Sequence, residues 1–364
     1  MKSVVNDPIL PVRVRCLYPF DLGMELDLKE IRYSKEVTRQ HPGEILFKGK
    51  SLGESELLGY IYPFGIGMLE LSFNLNDNLE RASELAIASD RIHVGRYALT
   101  VFFQSQVNLA LARARLYARS ANAQRVESDG EVFNLFTVAW QDDLGADAYL
   151  KKYRKTLFGM VTGDPSYARL SDYALQREAL KNIGYYDEEI ILINRFGAFI
   201  HSQEEETLRE LVSLSLAQYF NVRAAGVLLE KSLLTVQRVL ENQPHYYRFW
   251  KMPAAYQLVS REQRTFAKAK AALVESLNAV HVQSSHIESD WHLKSVHKEI
   301  LTAFDTGDLS KITMRRMETI DSIYAHLGEH LSTMFFIFLD FVFLAWLFVD
   351  LAGWVSLIVV TALK

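Results

Sequence analysis

The stretch from Ser332 to Lys364 constrains this chain more than any other. It reads STMFFIFLDFVFLAWLFVDLAGWVSLIVVTALK, and only Asp340 and Asp350 carry charge before the last residue. A helix needs about 20 mainly apolar residues to cross the hydrocarbon core of a bilayer. Thr333 to Leu351 supplies them. A core helix of a soluble protein is rarely apolar all round for so long. The expectation is a C-terminal transmembrane anchor over 332–364, with the lipid bilayer as its first partner. Beyond Gly353 the tail is either a short re-entrant piece or the end of one long tilted helix.

The rest of the composition narrows the setting. With 364 residues and a net charge of −4, the chain has no electrostatic footprint for nucleic acid. The opening MKSVVNDPILPVRV lacks an apolar signal-peptide core. The single cysteine, Cys16, excludes an internal disulfide framework and fits a reducing compartment. Together these predict a chain whose bulk faces the cytoplasm, anchored in a cytoplasmic (inner) membrane. Lys311, Arg315 and Arg316 lie upstream of the span, as the positive-inside rule asks.

Read in order, the chain predicts an α+β fold: an α/β head with a mostly antiparallel sheet, a long helical stalk and a C-terminal transmembrane helix. Val12, Val14 and Cys16 alternate with Arg13 and Arg15, the period of a half-buried strand. Phe20 to Leu28 reads as a turn into a short helix capped by Asp27. Glu44–Lys48, Leu57–Tyr62, Met68–Leu75 and Val132–Trp140 read as further strands, with a helix from Asp77 to Ala88 and a longer one over about His93–Ser120. This first unit spans 1–140. A second unit over 141–245 holds helices at Ala146–Val161 and from Ser171 to near Gly184. Strands at Ile190–Ile193 and Ala198–Ile200 follow, then a Pro-free helix from Glu204 to Asn242, whose opening acids suit the macrodipole. Residues 246–331 form the stalk, with a break at Thr306-Gly307-Asp308 and Ser310 as the cap of the last helix.

In that last helix Met317, Ile320, Tyr324, Leu327, Leu331 and Met334 follow a 3, 4 spacing, an a/d seam running into the span. It is a candidate oligomer seam, with packing against helices of the same chain as the other possibility. No P-loop, G-x-G-x-x-G, H-E-x-x-H or G-x-S-x-G is present. Cys16 reads as a buried structural thiol. His281, His286, His292 and His297 lack the i, i+4 spacing of a shared metal site. They read as surface pairs, His292 with Glu288 among them. Asp187, Glu188 and Glu189 form a turn before a strand, with divalent-cation binding as the functional alternative. Asp340 lies roughly 10 Å into the span at about 1.5 Å per residue. At about 100° per residue it falls away from the seam, and a carboxylate there calls for a neighbour. Asp350 sits near the far interface.

These residues resemble a membrane-anchored family that includes the "required for meiotic nuclear division" proteins and many bacterial relatives. Phe20-Asp21-Leu22-Gly23-Met24-Glu25-Leu26-Asp27-Leu28 resembles the family's opening motif, and Tyr62-Pro63-Phe64-Gly65 its tyrosine-x-phenylalanine-glycine. Gly163-Asp164 with Leu170-Ser171 also fits, as does Ile323-Tyr324 before the anchor. The most characteristic run is Tyr185-Tyr186-Asp187-Glu188-Glu189-Ile190-Ile191-Leu192-Ile193. Gln218 and Arg223 match the family's glutamine and arginine on the helix that follows, and Asp340 its acid within the anchor. The chain departs from the pattern at Ser213 and Leu216, where the family carries an acid and an asparagine. The resemblance implies a cytosolic head, a stalk and a C-terminal anchor.

The functional expectation is a tail-anchored, homo-oligomeric scaffold or adaptor whose head binds a protein partner, with no catalysis and no cofactor. Two alternatives stand beside it. One is a cation channel or transporter with a cytosolic α/β head and stalk. The other is a membrane-held metal-dependent enzyme using the acids at 187–189. Candidate functional polar residues are Asp187, Glu188, Glu189, Gln218, Arg223 and Asp340.

Overall fold

The computed structural model describes residues 10–27, 29–31, 34–120, 131–138, 145–177, 180–241, 251, 253–264, 266–267, 270–271, 274, 287 and 289–363. The fold mixes helix and sheet, with a largely antiparallel sheet and one long apolar C-terminal helix. Two compact units emerge: Met1–Ala225 with Val274–Ser310, and Gly226–Leu273 with Lys311–Lys364.

The first unit is built on β1 (Leu10–Asp21), β2 (Glu25–Leu26), β3 (Lys35–Phe47), β4 (Lys50–Ile61), β5 (Ile66–Asp77), β6 (Ile92–Val94), β7 (Tyr97–Ala98), β8 (Ala118–Ser120), β9 (Phe133–Val138), β10 (Ile190–Asn194) and β11 (Gly197–His201). Nine of these form one sheet in the order β10-β11-β9-β1-β5-β4-β3-β6-β7, while β2 pairs with β8. Every pairing is antiparallel except β11 with β9. Local chemistry sets the turns. Lys48 (φ 49°) and Gly49 (φ 77°) both take positive φ between β3 and β4, which matches the right-handed twist of a two-residue hairpin.

Strand alternation then sorts the sheet into two faces. Val12, Val14, Cys16, Tyr18 and Phe20 join Leu69, Leu71 and Phe73 in one apolar core. That core is closed by α1 (Leu79–Ile87), α2 (Leu99–Ala114) and α3 (Ala146–Thr162). On the other face Arg15 and Glu70 meet the first turns of α5 (Glu205–Glu241). Phe304, which caps α7 (Trp291–Ala303), packs edge-on against Phe133 of β9 at 5.7 Å.

Several expectations are corrected here. The sheet runs across the boundary expected near residue 140. The hairpin β10–β11 adds to the outer edge of β9 through a parallel pairing, Gly197 opposite Asn134, after the crossover through α3 that parallel strands need. The helix expected from His93 begins only at Leu99. Gly95 takes φ 58° and turns residues 92–98 into the short hairpin β6–β7. Phe20–Leu26 is mainly strand, β1 continuing to Asp21 and β2 following, while Asp27 caps a single turn: its Oδ1 accepts the Lys29 N–H at 2.9 Å and its carbonyl the Ile31 N–H at 3.1 Å. Asn78, not Asp77, caps α1 by accepting the Arg81 N–H at 2.9 Å. The helix after Ser171, α4, spans only Asp172–Arg177. The break before the last helix is Asp305, at φ 52°. Thr306–Asp308 therefore begins α8 (Thr306–Ala362), and Ser310 lies inside it.

The second unit is helical. The later turns of α5, α6 (253–264) and α8 enclose Leu229, Val236, Val259, Phe266, Met317, Ile320, Tyr324, Leu327 and Leu331. The ring of Phe266 lies 5.5 Å from that of Tyr324, and Met334 packs on the edge of the same cluster. The 3, 4 seam is thus filled from within the chain, which corrects its assignment to an oligomer contact. Three helical segments bury the stripe that one amphipathic helix leaves open. Beyond it α8 continues unbroken through Gly353 to Ala362, so the tail is one helix rather than a span and a re-entrant piece. From Phe336 on, its large apolar side chains other than the half-buried Phe338 are exposed, Val349 at 72% and Phe336 and Trp346 at 63%. By length and composition this is a candidate membrane span.

Candidate functional site

The run Tyr185–Glu189 is held in place by Asn182. Its carboxamide oxygen accepts the N–H groups of Gly184 (3.0 Å) and Ile191 (2.9 Å), and its Nδ2 donates to the Glu189 carbonyl at 2.9 Å. This wiring separates the three acids. Asp187 and Glu188 stay exposed, whereas Glu189 turns inward and is 3% exposed. Its Oε2 accepts the Tyr185 N–H at 3.0 Å and lies 3.4 Å from Nε2 of His292, which is equally buried. The acids therefore do not converge on one ion, and no group of three or more metal-ligating side chains occurs among the described residues.

His292 and His297 correct the surface-pair reading. Both are buried on α7. His297 Nε2 lies 3.1 Å from Oε1 of the buried Gln218 on α5. The structure thus joins two of the sequence-marked residues, Glu189 and Gln218, to two histidines of one helix. His281, His286 and Glu288 lie outside the described residues. An imidazole beside a carboxylate can orient a nucleophile. The hydroxyl of Ser295, one turn along α7, bonds Tyr185 instead. The pair serves to position aromatic rings. Tyr185 and Tyr186 pack on the His292 ring with centroids at 5.3 and 5.1 Å, and Trp291 meets Tyr185 edge-on at 5.4 Å. Outwardly these three rings are 45%, 58% and 68% exposed, an aromatic patch bordered by Asp187 and Glu188.

Gly184 makes this loop possible. A Cβ there would lie 2.8 Å from the Glu189 carbonyl oxygen and 3.0 Å from Glu189 Cγ. Gly184→Ala is expected to cost about 1–3 kcal/mol, as overpacking of a closed site does. A thermal melt of the full chain checks this.

Arg223 and Asp340 stand apart from the cluster. Arg223 pairs with Glu131 at 2.5 Å. Asp340 is exposed on the apolar part of α8. Cys16 is fully buried and donates to Asn134 Oδ1 at 3.4 Å; burial pushes its pKa up to about 12, so it stays a protonated structural thiol.

A second polar centre went unread in the sequence. Arg15, with no exposed surface, reaches Glu205 (2.8 Å), Glu206 (2.7 Å) and Glu70 (3.4 Å), and donates to Thr137 at 2.9 Å. Arg209 bridges Glu70 at 2.7 Å and Glu206 at 2.6 Å. Burial acts to raise the Glu206 pKa, but Arg15, Arg209 and Arg13 outweigh it and hold the carboxyl below its ordinary 4.5. A carboxylate depressed on folding contributes stability above its unfolded pKa, and loses it as pH falls through the folded value. The acid limb of the stability curve, below about pH 4.5, is therefore expected to flatten in Glu206→Gln. Melting temperatures across pH 3–7, about the range carboxylates control, check this.

Comparison with family models, with curated proteins and with solved structures finds no match for this chain.

Proposed function

We propose that this chain is a membrane-tethered, non-catalytic adaptor: a head that binds a protein partner, held at a cytoplasmic (inner) membrane by the end of α8 and self-associating there. The observation that carries it is the apolar end of α8, exposed on all sides for longer than a bilayer requires. The aromatic patch of Tyr185, Tyr186 and Trp291 supports partner binding, since tyrosine and tryptophan dominate interface hot spots. The resemblance to the "required for meiotic nuclear division" family belongs to the same proposal. Because the seam is filled within the chain, self-association falls to the lipid-exposed surface that carries Asp340. Asp340 also favours the channel reading, which with one span per chain requires a closed ring.

The mass of the chain reconstituted in lipid nanodiscs, by light scattering, separates the readings. A dimer that Asp340→Leu splits into monomers is the expected result. A ring of four or more subunits that survives the substitution would replace the adaptor with the channel. A wild-type monomer would remove self-association from the proposal.

A further inference from the structure

A cavity of about 380 Å³ opens in the first unit beside the start of α5. Tyr60 of β4 and Tyr62, just past the end of that strand, both line it, with Leu214 and Leu293 among the apolar side chains and Arg209 and Ser213 among the polar ones. The volume lies at the low end of the roughly 300–1,000 Å³ that small-molecule sites occupy.

Ser213 marks the cavity as more than a packing defect. A serine inside a helix usually satisfies its hydroxyl on the carbonyl four residues back. On α5, Ser215, Ser232 and Thr235 all do so, at 2.8, 3.0 and 3.1 Å. Ser213 is 3% exposed and its Oγ finds no hydrogen-bond partner among the described residues. Leaving a buried hydroxyl unpaired costs about 1–3 kcal/mol, a cost that a polar group brought to the cavity wall at Ser213 would offset.

The electrostatics say which ligand. Among the described residues Arg209 is the cation on the wall, and its guanidinium is already taken by Glu70, Glu206 and, at 3.4 Å, Glu210. A phosphate or carboxylate entering the cavity would have to displace one of these. Tyr60 and Tyr62 remain neutral phenols, burial pushing both pKa values up. From the free Ser213 hydroxyl, the paired tyrosines and the occupied Arg209, we infer that the cavity binds an uncharged planar compound of one or two rings, hydrogen-bonded to Ser213. Its rings face Tyr60 and Tyr62, the offset contact aromatic pairs favour.

The test is a ligand-observed saturation-transfer NMR titration of phenol and indole against the full chain in nanodiscs, with indole-3-acetate as the anionic control. At least one neutral probe is expected to give a saturable signal above the lipid-partition background. Ser213→Ala, which keeps the space and removes the hydroxyl, is expected to weaken it about three- to tenfold, the worth of one neutral hydrogen bond. Ser213→Leu, which fills the space, is expected to leave only the background. Neutral probes that do not saturate, or that bind Ser213→Ala and Ser213→Leu as tightly as wild type, would overturn the inference. Tighter binding of indole-3-acetate than of indole would do the same.

Discussion

Arg15→Met is expected to lower the stability of the first unit by about 3–5 kcal/mol, the cost of taking one partner out of a buried ion pair. Arg15 is the cation shared by Glu70, Glu205 and Glu206. Without it Glu70 and Glu206 must share Arg209, and Glu205 loses its guanidinium and keeps only the Thr137 hydroxyl. For a unit of this size each kcal/mol moves the midpoint by about 2–4 °C, so the melt should fall by on the order of 10 °C. The double variant Arg15→Met with Glu70→Met removes charges of both signs from the sheet face. It is expected to recover about half of the loss, because buried pairs replaced together by apolar side chains are often neutral. Far-UV circular dichroism of the full chain at pH 7 gives both midpoints. A double variant melting as low as the single one would show that methionine packing, not an uncompensated carboxylate, sets the cost.

That network also shows where reading the sequence stopped short. Alternation placed Arg13 and Arg15 together on a polar face, and the acids at 204–206 had a sufficient explanation in the helix dipole. Neither pattern says that the start of α5 lands on β1, 190 residues earlier by the Arg15–Glu205 contact. Only that tertiary contact makes Arg15 fully buried while Arg13 stays exposed. The same limit applies to Glu189 and His292: each looked like surface, and burial came from loop and helix meeting. Features whose cause is local were legible. β10 and β11 flank the turn at Asn194–Gly197, α3 stops at Gly163 in the left-handed conformation, and the apolar end of α8 is plain in composition alone. The seam lies between these cases, since its spacing was clear and its occupant was not.

Leu344→Arg with Leu347→Arg is expected to release the chain from the membrane, the other large effect. Each arginine near the middle of a span costs about 2.5–3.5 kcal/mol, and each leucine lost gives up about 0.3–0.6, so the pair adds roughly 6–8 kcal/mol to insertion. Wild type already carries Asp340, at about 2.5–3.5 kcal/mol. Flotation after a carbonate wash should find wild type with the lipid and the double-arginine variant out of it. A variant that still floats would mean that α8 is held by another protein rather than by lipid, and the anchor would be lost from the proposal. Asp340→Leu sharpens the comparison, because it lowers the insertion cost and so should float at least as firmly as wild type. Among the described residues no hydrogen bond or ion pair reaches Asp340 within the chain. Its carboxyl is thus a cost to insertion with no return inside one copy, and under the proposed self-association that return comes from a second copy. Asp340→Leu should therefore part the two properties, leaving the anchor intact while the assembly comes apart.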